Sequence, residues 1–212
     1  MFLVIDDRNR VDHAEWLNKM YQLRYRVFVE QMGWDLPCGK SGDERDQFDT
    51  EHTRYLLMVD DDSGALLASG RFNPTQRPHL MSEVFPHQCN ISGVPKGEHI
   101  WEYTRYVFDF EAIGKDRFRD VRASFGVAQT ELAILTGMTE ISWLSTQEIY
   151  GHLIQFWPSE PLGTPIYYPK EDSFYIAALS NIGDEALQRM QTRLGRYDRL
   201  LTNCIPQHLL AA

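Results

Sequence analysis

The chain has 212 residues, 43% hydrophobic and 24% charged, with 14 Gly and 10 Pro, a composition that builds a core and excludes the collagen-like, low-complexity and disordered classes. Its 21 Lys and Arg against 30 Asp and Glu leave a net charge of −9, and a field of that sign repels polyanions, so no nucleic-acid partner is expected.

At the start, Met1-Phe2-Leu3-Val4-Ile5 reaches Asp6 and Asp7 after too short an apolar run for a secretory signal. No stretch approaches the ~20 apolar residues that span a bilayer, so a soluble protein with no membrane partner is expected. Cys38, Cys89 and Cys204 are an odd, widely spaced set that forms no disulfide framework or CxxC site, which fits a reducing cytoplasm.

Between His13 and Met32, Trp16, Leu17, Met20, Leu23, Val27 and Phe28 recur at spacings of three and four. That is the stripe of an amphipathic helix, with Arg24 and Phe28 on one face. On the helix alone, Arg24 reads as a side chain snorkelling from the stripe's edge. From Gly33 to Thr50 the periodicity breaks, and long irregular stretches of this kind often hold sites. Its Asp43-Glu44-Arg45-Asp46-Gln47-Phe48-Asp49 reads either as a solvated surface or as carboxylates for Arg24.

Strands Tyr55–Val59 and Leu66–Phe72 flank Asp60-Asp61-Asp62-Ser63-Gly64, a hairpin pattern. Pro74, Pro78, Pro86 and Pro95 punctuate an irregular region before Ile100–Phe108, whose aromatic and β-branched residues predict a buried strand. Helices near Val121–Leu135, Gln147–Phe156 and Asp184–Leu194 then alternate with strands Glu140–Leu144, Ile166–Tyr168 and Phe174–Leu179. The order predicts one α/β domain over residues 1–212, a mixed β-sheet sandwiched by helices.

Within Ile100–Phe108, Glu102 and Arg105 lie among aromatics, where ionised groups are costly unless paired. They read as a buried ion pair or as a catalytic carboxylate with its partner. Residues three apart on a strand face opposite sides, so their pairing requires a bulge or an outside partner. Tyr103 and Tyr106 are assigned to the core. The seven histidines lack metal-ligand spacing, no GxGxxG, Walker or GxSxG motif occurs, and no Cys stands beside a His.

Taken together, Arg24-x3-Phe28-x5-Trp34, Glu44-x-Asp46-x2-Asp49, Tyr55-Leu56, Gly70-Arg71-x2-Pro74-Thr75-x2-Pro78-x-Leu80-x4-Phe85 and Glu102-x-Thr104-Arg105 closely resemble the acyl-homoserine-lactone (autoinducer) synthase family. The resemblance runs from Arg24 to Arg105; beyond Val121 it rests on element order. It implies a GNAT-like three-layer sandwich, a twisted mixed sheet with helices on both faces and a cleft between splayed strands. The implied reaction joins S-adenosylmethionine (SAM) to an acyl thioester by amide formation, then lactonisation with loss of methylthioadenosine (MTA), to make a quorum-sensing signal. SAM is a substrate, and neither a metal nor a cofactor is expected.

On this resemblance Glu102 is the general base that the protonated amine requires. Phe28 and Trp34 form an aromatic wall for the sulfonium and adenine. Arg24, Arg71 and Arg105 form a charge network with Asp46 and Asp49 that holds the 33–50 loop over the cleft. Phe85 is expected beneath that loop, and backbone N–H groups at the splayed strand are expected to hold the oxyanion. Trp143 and Ser145 are substrate-binding positions. Trp143 is either a pocket wall that disfavours long 3-oxo chains or a core residue. The donor is an acyl carrier protein or acyl-coenzyme A, received by the basic stretch Lys115–Arg122 or by no special surface at all. A GNAT-type N-acyltransferase for another amine and a non-catalytic metabolite-binding module are the alternatives.

Overall fold

The computed structural model describes residues 1–36 and 42–210; Cys38 and the rest of residues 37–41 lie outside the described residues. Eight strands form one sheet: β1 (Phe2–Ile5), β2 (Arg54–Val59), β3 (Leu66–Pro74), β4 (Ile100–Phe108), β5 (Glu140–Thr146), β6 (Ser159–Pro161), β7 (Ile166–Tyr168) and β8 (Ser173–Asn181). Their order is β1-β2-β3-β4-β5-β8-β6, with β7 also paired to β8. Every pairing is antiparallel except β4 with β5. The helices are α1 (Ala14–Arg24), continued by a π-helical segment (Tyr25–Gln31), α2 (Leu80–Glu83), α3 (Phe110–Ile113), α4 (Lys115–Leu135), α5 (Gln147–Leu153) and α6 (Asp184–Leu194), with a 3₁₀ turn at Pro86–Cys89. None of them is long and apolar enough to cross a membrane.

The two-residue period of the strands sorts side chains into two layers. Ile5, Tyr55, Leu57, Val59 and Val107 pack against Leu17, Met20 and Leu23 of α1. On the other face Leu56, Phe72, Trp101, Tyr103, Ile141, Trp143 and Ala178 pack against Phe125 and Leu132 of α4 and Leu187 and Met190 of α6. The expected mixed sheet between helical layers is thus present. The expected long helix from His13 changes to π-helical pitch after Arg24, and α4 begins at Lys115 rather than Val121. The first turns of α4 are exposed and charged, so they carry no apolar stripe to read. Strands β1 and β6 and helices α2 and α3 are all four residues or shorter, too short for periodicity to reveal.

Two features of β4 build the site. Its pairing with β5 ends at Glu102↔Ser142, although both strands continue, so they splay beyond that point. Its register with β3 slips between Ser69↔Val107 and Arg71↔Thr104, setting Arg105 and Tyr106 opposite Gly70 alone. This is the bulge that the Glu102/Arg105 spacing called for, and Arg105 sits in it at φ 54°, a conformation that non-glycine residues hold only under tertiary constraint.

The residue opposite the bulge must be small. A Cβ on Gly70 would lie 2.2 Å from the Tyr103 hydroxyl and 2.7 Å from its ring carbons, and that hydroxyl donates a buried 2.7 Å bond to Gln129 Oε1 of α4. Gly70→Ala is expected to displace Tyr103 from α4 and to destabilise the protein by about 1–3 kcal/mol, the usual cost of overpacking. Thermal unfolding checks it; an unchanged midpoint would mean that the ring moves aside freely.

Candidate active site

The residue 42–50 segment lies against the C-terminal end of α1, tied by a backbone bond from Glu44 N to Tyr21 O. Arg24, the last residue of α1, is fully buried. Its Nη1 and Nη2 donate to the two Asp49 oxygens at 2.8 and 2.9 Å, and its Nε donates to Glu44 Oε2 at 2.5 Å. The snorkelling reading is therefore corrected: the carboxylates supply what water would have supplied. Arg71 on β3 donates through Nη1 to Asp46 Oδ1 at 2.6 Å and through Nε to Thr104 Oγ1 at 2.9 Å, with Asp49 Oδ1 at 3.2 Å. From the bulge, Arg105 Nη2 donates to Glu44 Oε1 and Asp46 Oδ2, both at 2.8 Å.

Three arginines thus meet three carboxylates in a charge-balanced lattice, and no member has a side chain more than 8% exposed. Burial alone would raise Asp49, but Arg24 and Arg71 override it and hold the carboxyl well below the usual range. Glu44 is likewise lowered against its burial by Arg105 and Arg24. Tyr55 completes the lattice by donating to Asp49 Oδ1 at 2.8 Å.

Phe28 and Trp34 stack nearly parallel, with centroids 4.9 Å apart at 6°, and the Trp34 N–H donates to the Phe28 carbonyl at 2.9 Å. The Arg105 guanidinium lies 5.8 Å from the Phe28 ring centre, so this aromatic pair borders the lattice. Asp35 approaches Lys170 at 3.9 Å, just past β7. Phe85 is half-buried on that side, its ring 6.4 Å from Tyr168 and 6.1 Å from His87.

Glu102 does not pair with Arg105. Its carboxylate is 1% exposed and accepts the backbone N–H groups of Leu80 at 3.0 Å and Met81 at 2.6 Å, at the start of α2. Burial raises its pKa, opposed by the His79 imidazole, by the Met81 N–H and by Arg71. A carboxylate held by neutral donors at the fork of β4 and β5 is poised to take a proton nearer neutrality than a free one.

Trp143 and Ser145 lie on β5 just beyond the fork. Trp143 is buried, and its Nε1–H donates to Ser180 Oγ at 2.7 Å; its ring lies 5.6 Å from Tyr150. Ser145 Oγ donates to the Thr146 carbonyl at 3.1 Å. Tyr103 is in the core as expected, whereas the bulge leaves Tyr106 39% exposed. Lys115, Arg117, Arg119 and Arg122 are exposed on α4, and Arg117 pairs with Asp60.

Comparison with known proteins decides the family: residues 7–150 match the autoinducer synthase model. The chain belongs to the autoinducer synthase family. An isovaleryl-homoserine lactone synthase from Bradyrhizobium diazoefficiens is 30% identical over 204 residues, 92% of this chain and 86% of that protein. An acyl-homoserine-lactone synthase from Acinetobacter baumannii is 34% identical over 55% of this chain and 63% of its own length. Among solved structures, the CoA-dependent synthase BjaI, with SAM and isopentyl-CoA, superimposes with a TM-score of 0.83 at 28% identity, over 93% of this chain and 90% of that one. The CoA-dependent synthase MesI gives 0.85 at 26% identity over 96% and 100%.

In this autoinducer synthase the structure brings together Arg24, Arg71, Arg105, Asp46 and Asp49, the set that the family pattern named, and adds Glu44 and Tyr55. Glu44 stood in a run that reads the same whether its members are solvated or paired with Arg24, and Tyr55 stood inside the matched pattern without a role.

Proposed function

We propose that this autoinducer synthase joins SAM to an acyl thioester in the fork between β4 and β5, releasing MTA and an N-acyl-homoserine lactone. The observation that carries the reading is the buried lattice of three arginines and three carboxylates. It sets the 42–50 segment and the Phe28–Trp34 pair beside a fork whose last paired residue is Glu102. A fold kept for another amine, or for binding alone, has no need to bury six charges around one loop.

The roles follow from the surroundings of each group. Glu102, its proton affinity raised by burial, takes a proton from the ammonium of SAM and frees the amine to attack the thioester carbonyl. Arg71 Nη2 has no protein partner among the described residues and is the donor best placed to receive the substrate carboxylate, which later closes the lactone by displacing MTA. Phe28 and Trp34 hold the sulfonium and adenine by cation–π and stacking contacts. Beyond Glu102 the edge of β4 that faces β5 has no strand partner among the described residues, which leaves backbone N–H groups for the oxyanion. Phe85, beside Tyr168, borders the same cleft. No cofactor is needed, and one domain in the cytoplasm supplies the whole reaction.

Tyr103 and Trp143 immediately follow the last β4–β5 pair and face α4, so they floor the acyl side of the fork, with Ser145 two residues further along β5. Bulky rings there favour a short, branched or aromatic acyl group over a long 3-oxo chain. Coenzyme A is the proposed donor, a reading supported by two CoA-dependent relatives, with the exposed arginines of α4 available for its phosphates. The deciding experiment measures MTA release from SAM with matched acyl-CoA and acyl carrier protein substrates, with mass analysis of the product. Activity only with acyl carrier protein would overturn the donor, and release without a lactone would overturn the reaction. Trp143→Phe is expected to raise kcat/KM for longer straight chains relative to branched ones by about tenfold, the scale of a small change in an apolar pocket. Competition between paired thioesters reads that ratio, and an unchanged ratio would return Trp143 to a purely core role.

A further inference from the structure

We propose that a cleft on the far face of the sheet from the charge lattice is a second binding site, for a small organic monocarboxylate whose charge pairs with Arg54 and whose hydrocarbon lies along Trp101. The cleft has a volume of about 360 Å³ and opens between the end of β1, the start of β2, the turn after β3, Trp101 and Leu209, a size that holds a small ligand. Along β2, Tyr55 packs on the α1 side, so Arg54, one residue earlier, faces the other side with Trp101. Arg54 is half-buried, and its guanidinium lies over the Trp101 ring, 4.3 Å from the centre. That stacking fixes the plane of its N–H fork. Its Nη1 is buried and has no hydrogen-bond partner among the described residues. Arg24, Arg71 and Arg105, by contrast, each donate to a carboxylate.

The acids nearby do not fill this need. Asp6 already has His208 Nε2 2.5 Å from its Oδ2 and accepts the Arg8 N–H at 3.1 Å through Oδ1, and Asp7 is exposed. Burial lowers the Arg54 pKa although Asp6 and Asp7 oppose that shift, so their fields do not replace the water that the guanidinium has lost. An anion in the cleft supplies the missing countercharge from the open side. One unpaired guanidinium faces the rim acids Asp6, Asp7 and Glu51, so a second negative charge on the ligand meets repulsion; Pro74, Trp101 and Leu209 suit a short apolar tail. The walls also run into the catalytic segments. Arg54 precedes Tyr55, a donor to Asp49, Trp101 precedes Glu102, and the turn after β3 leads to Leu80 and Met81, the donors to Glu102. Buried Thr53 ties two of these walls together, its Oγ1 lying 2.8 Å from both the Phe48 carbonyl oxygen and Asn73 Oδ1.

Butyrate is the probe, titrated into the whole protein while the indole N–H resonances of the five tryptophans are followed by NMR, with Trp101→Phe assigning the Trp101 signal. Butyrate is expected to shift that signal saturably and to bind several-fold tighter than acetate, whose tail buries less apolar surface. At about ten times its Kd it is expected to raise the thermal midpoint by about 3–6 °C. Inorganic phosphate and chloride at matched ionic strength are expected to leave the signal in place. Arg54→Met keeps an unbranched side chain against Trp101 and removes the charge. It is expected to weaken butyrate binding at least about tenfold and to leave the ligand-free midpoint unchanged or higher, because a poorly compensated charge is gone. A lower ligand-free midpoint with the butyrate response intact would make Arg54 a structural anchor and overturn the proposal. An unmoved Trp101 signal would overturn the site, as would a shift confined to Trp34 or Trp143, which places the acid in the catalytic fork. An equal response to phosphate would overturn the choice of a monocarboxylate. Should Arg54→Met fail to fold, the titration of the unmodified protein decides by itself.

Discussion

Glu102→Gln is expected to lower turnover by about 10²–10⁴-fold, the scale of removing a general base. The amide keeps the size but cannot hold the proton. The structure adds a cost that the residue's place in a strand did not show. Both carboxylate oxygens accept backbone N–H groups, those of Leu80 and Met81, and a glutamine turns its NH₂ toward one of them. That leaves a buried donor unsatisfied, at about 1–3 kcal/mol, so the thermal midpoint should fall by several degrees while unfolding stays cooperative. Single-turnover amide formation and SAM binding separate the two effects. Retained SAM binding with lost chemistry supports the base; near-normal turnover would discard it. In the unmodified protein, kcat/KM should rise with pH on the acid side, through a limb above the ordinary carboxylate range, because burial raises Glu102 and only its ionised form accepts a proton.

The largest stability effect is expected at Asp49. It accepts two bonds from Arg24, one from the Tyr55 hydroxyl and one from the Asp46 N–H, with Arg71 at 3.2 Å. Asp49→Asn leaves one positive charge uncompensated in a dry site, which costs about 3–5 kcal/mol for a buried pair broken on one side. For a chain of this length that lowers the thermal midpoint on the order of 10 °C. Replacing the members together by apolar residues of similar volume should cost much less, because no lone charge remains. The pH dependence has a definite sign. Asp49's folded pKa is depressed, so its contribution is present above the unfolded value near ~4 and is lost as pH falls below it. Calorimetry across pH 3 to 7 checks this, and an acid transition identical in Asp49→Asn and the unmodified protein would contradict it.

Periodicity and residue chemistry carried much of the architecture. The hairpin of β2 and β3, the aromatic strand β4, and the alternation of α4, β5, α5, β8 and α6 are elements whose apolar spacing repeats over several residues, and such spacing depends on the residues themselves. Strand geometry also required that Glu102 and Arg105 could pair only across a bulge or with outside partners, and the structure uses both: a bulge that aims Arg105, and Glu44 and Asp46 as its partners. What the sequence alone determined was therefore the inventory of charges, the sheet between helices, and the need for compensation within it.

The tertiary structure decided who compensates whom. Arg24 meets Glu44 across 20 residues and Asp49 across 25, and Arg105 meets Glu44 across 61. No local pattern specifies such pairs, because the energy that selects them appears only once the chain has excluded water around them. For the same reason, burial drew Glu44, Asp46 and Asp49 out of an apparently solvated run into a lattice and gave Glu102 two backbone donors in place of an arginine. Desolvation belongs to a place in the fold, and a sequence lists charges without saying which of them lose their water.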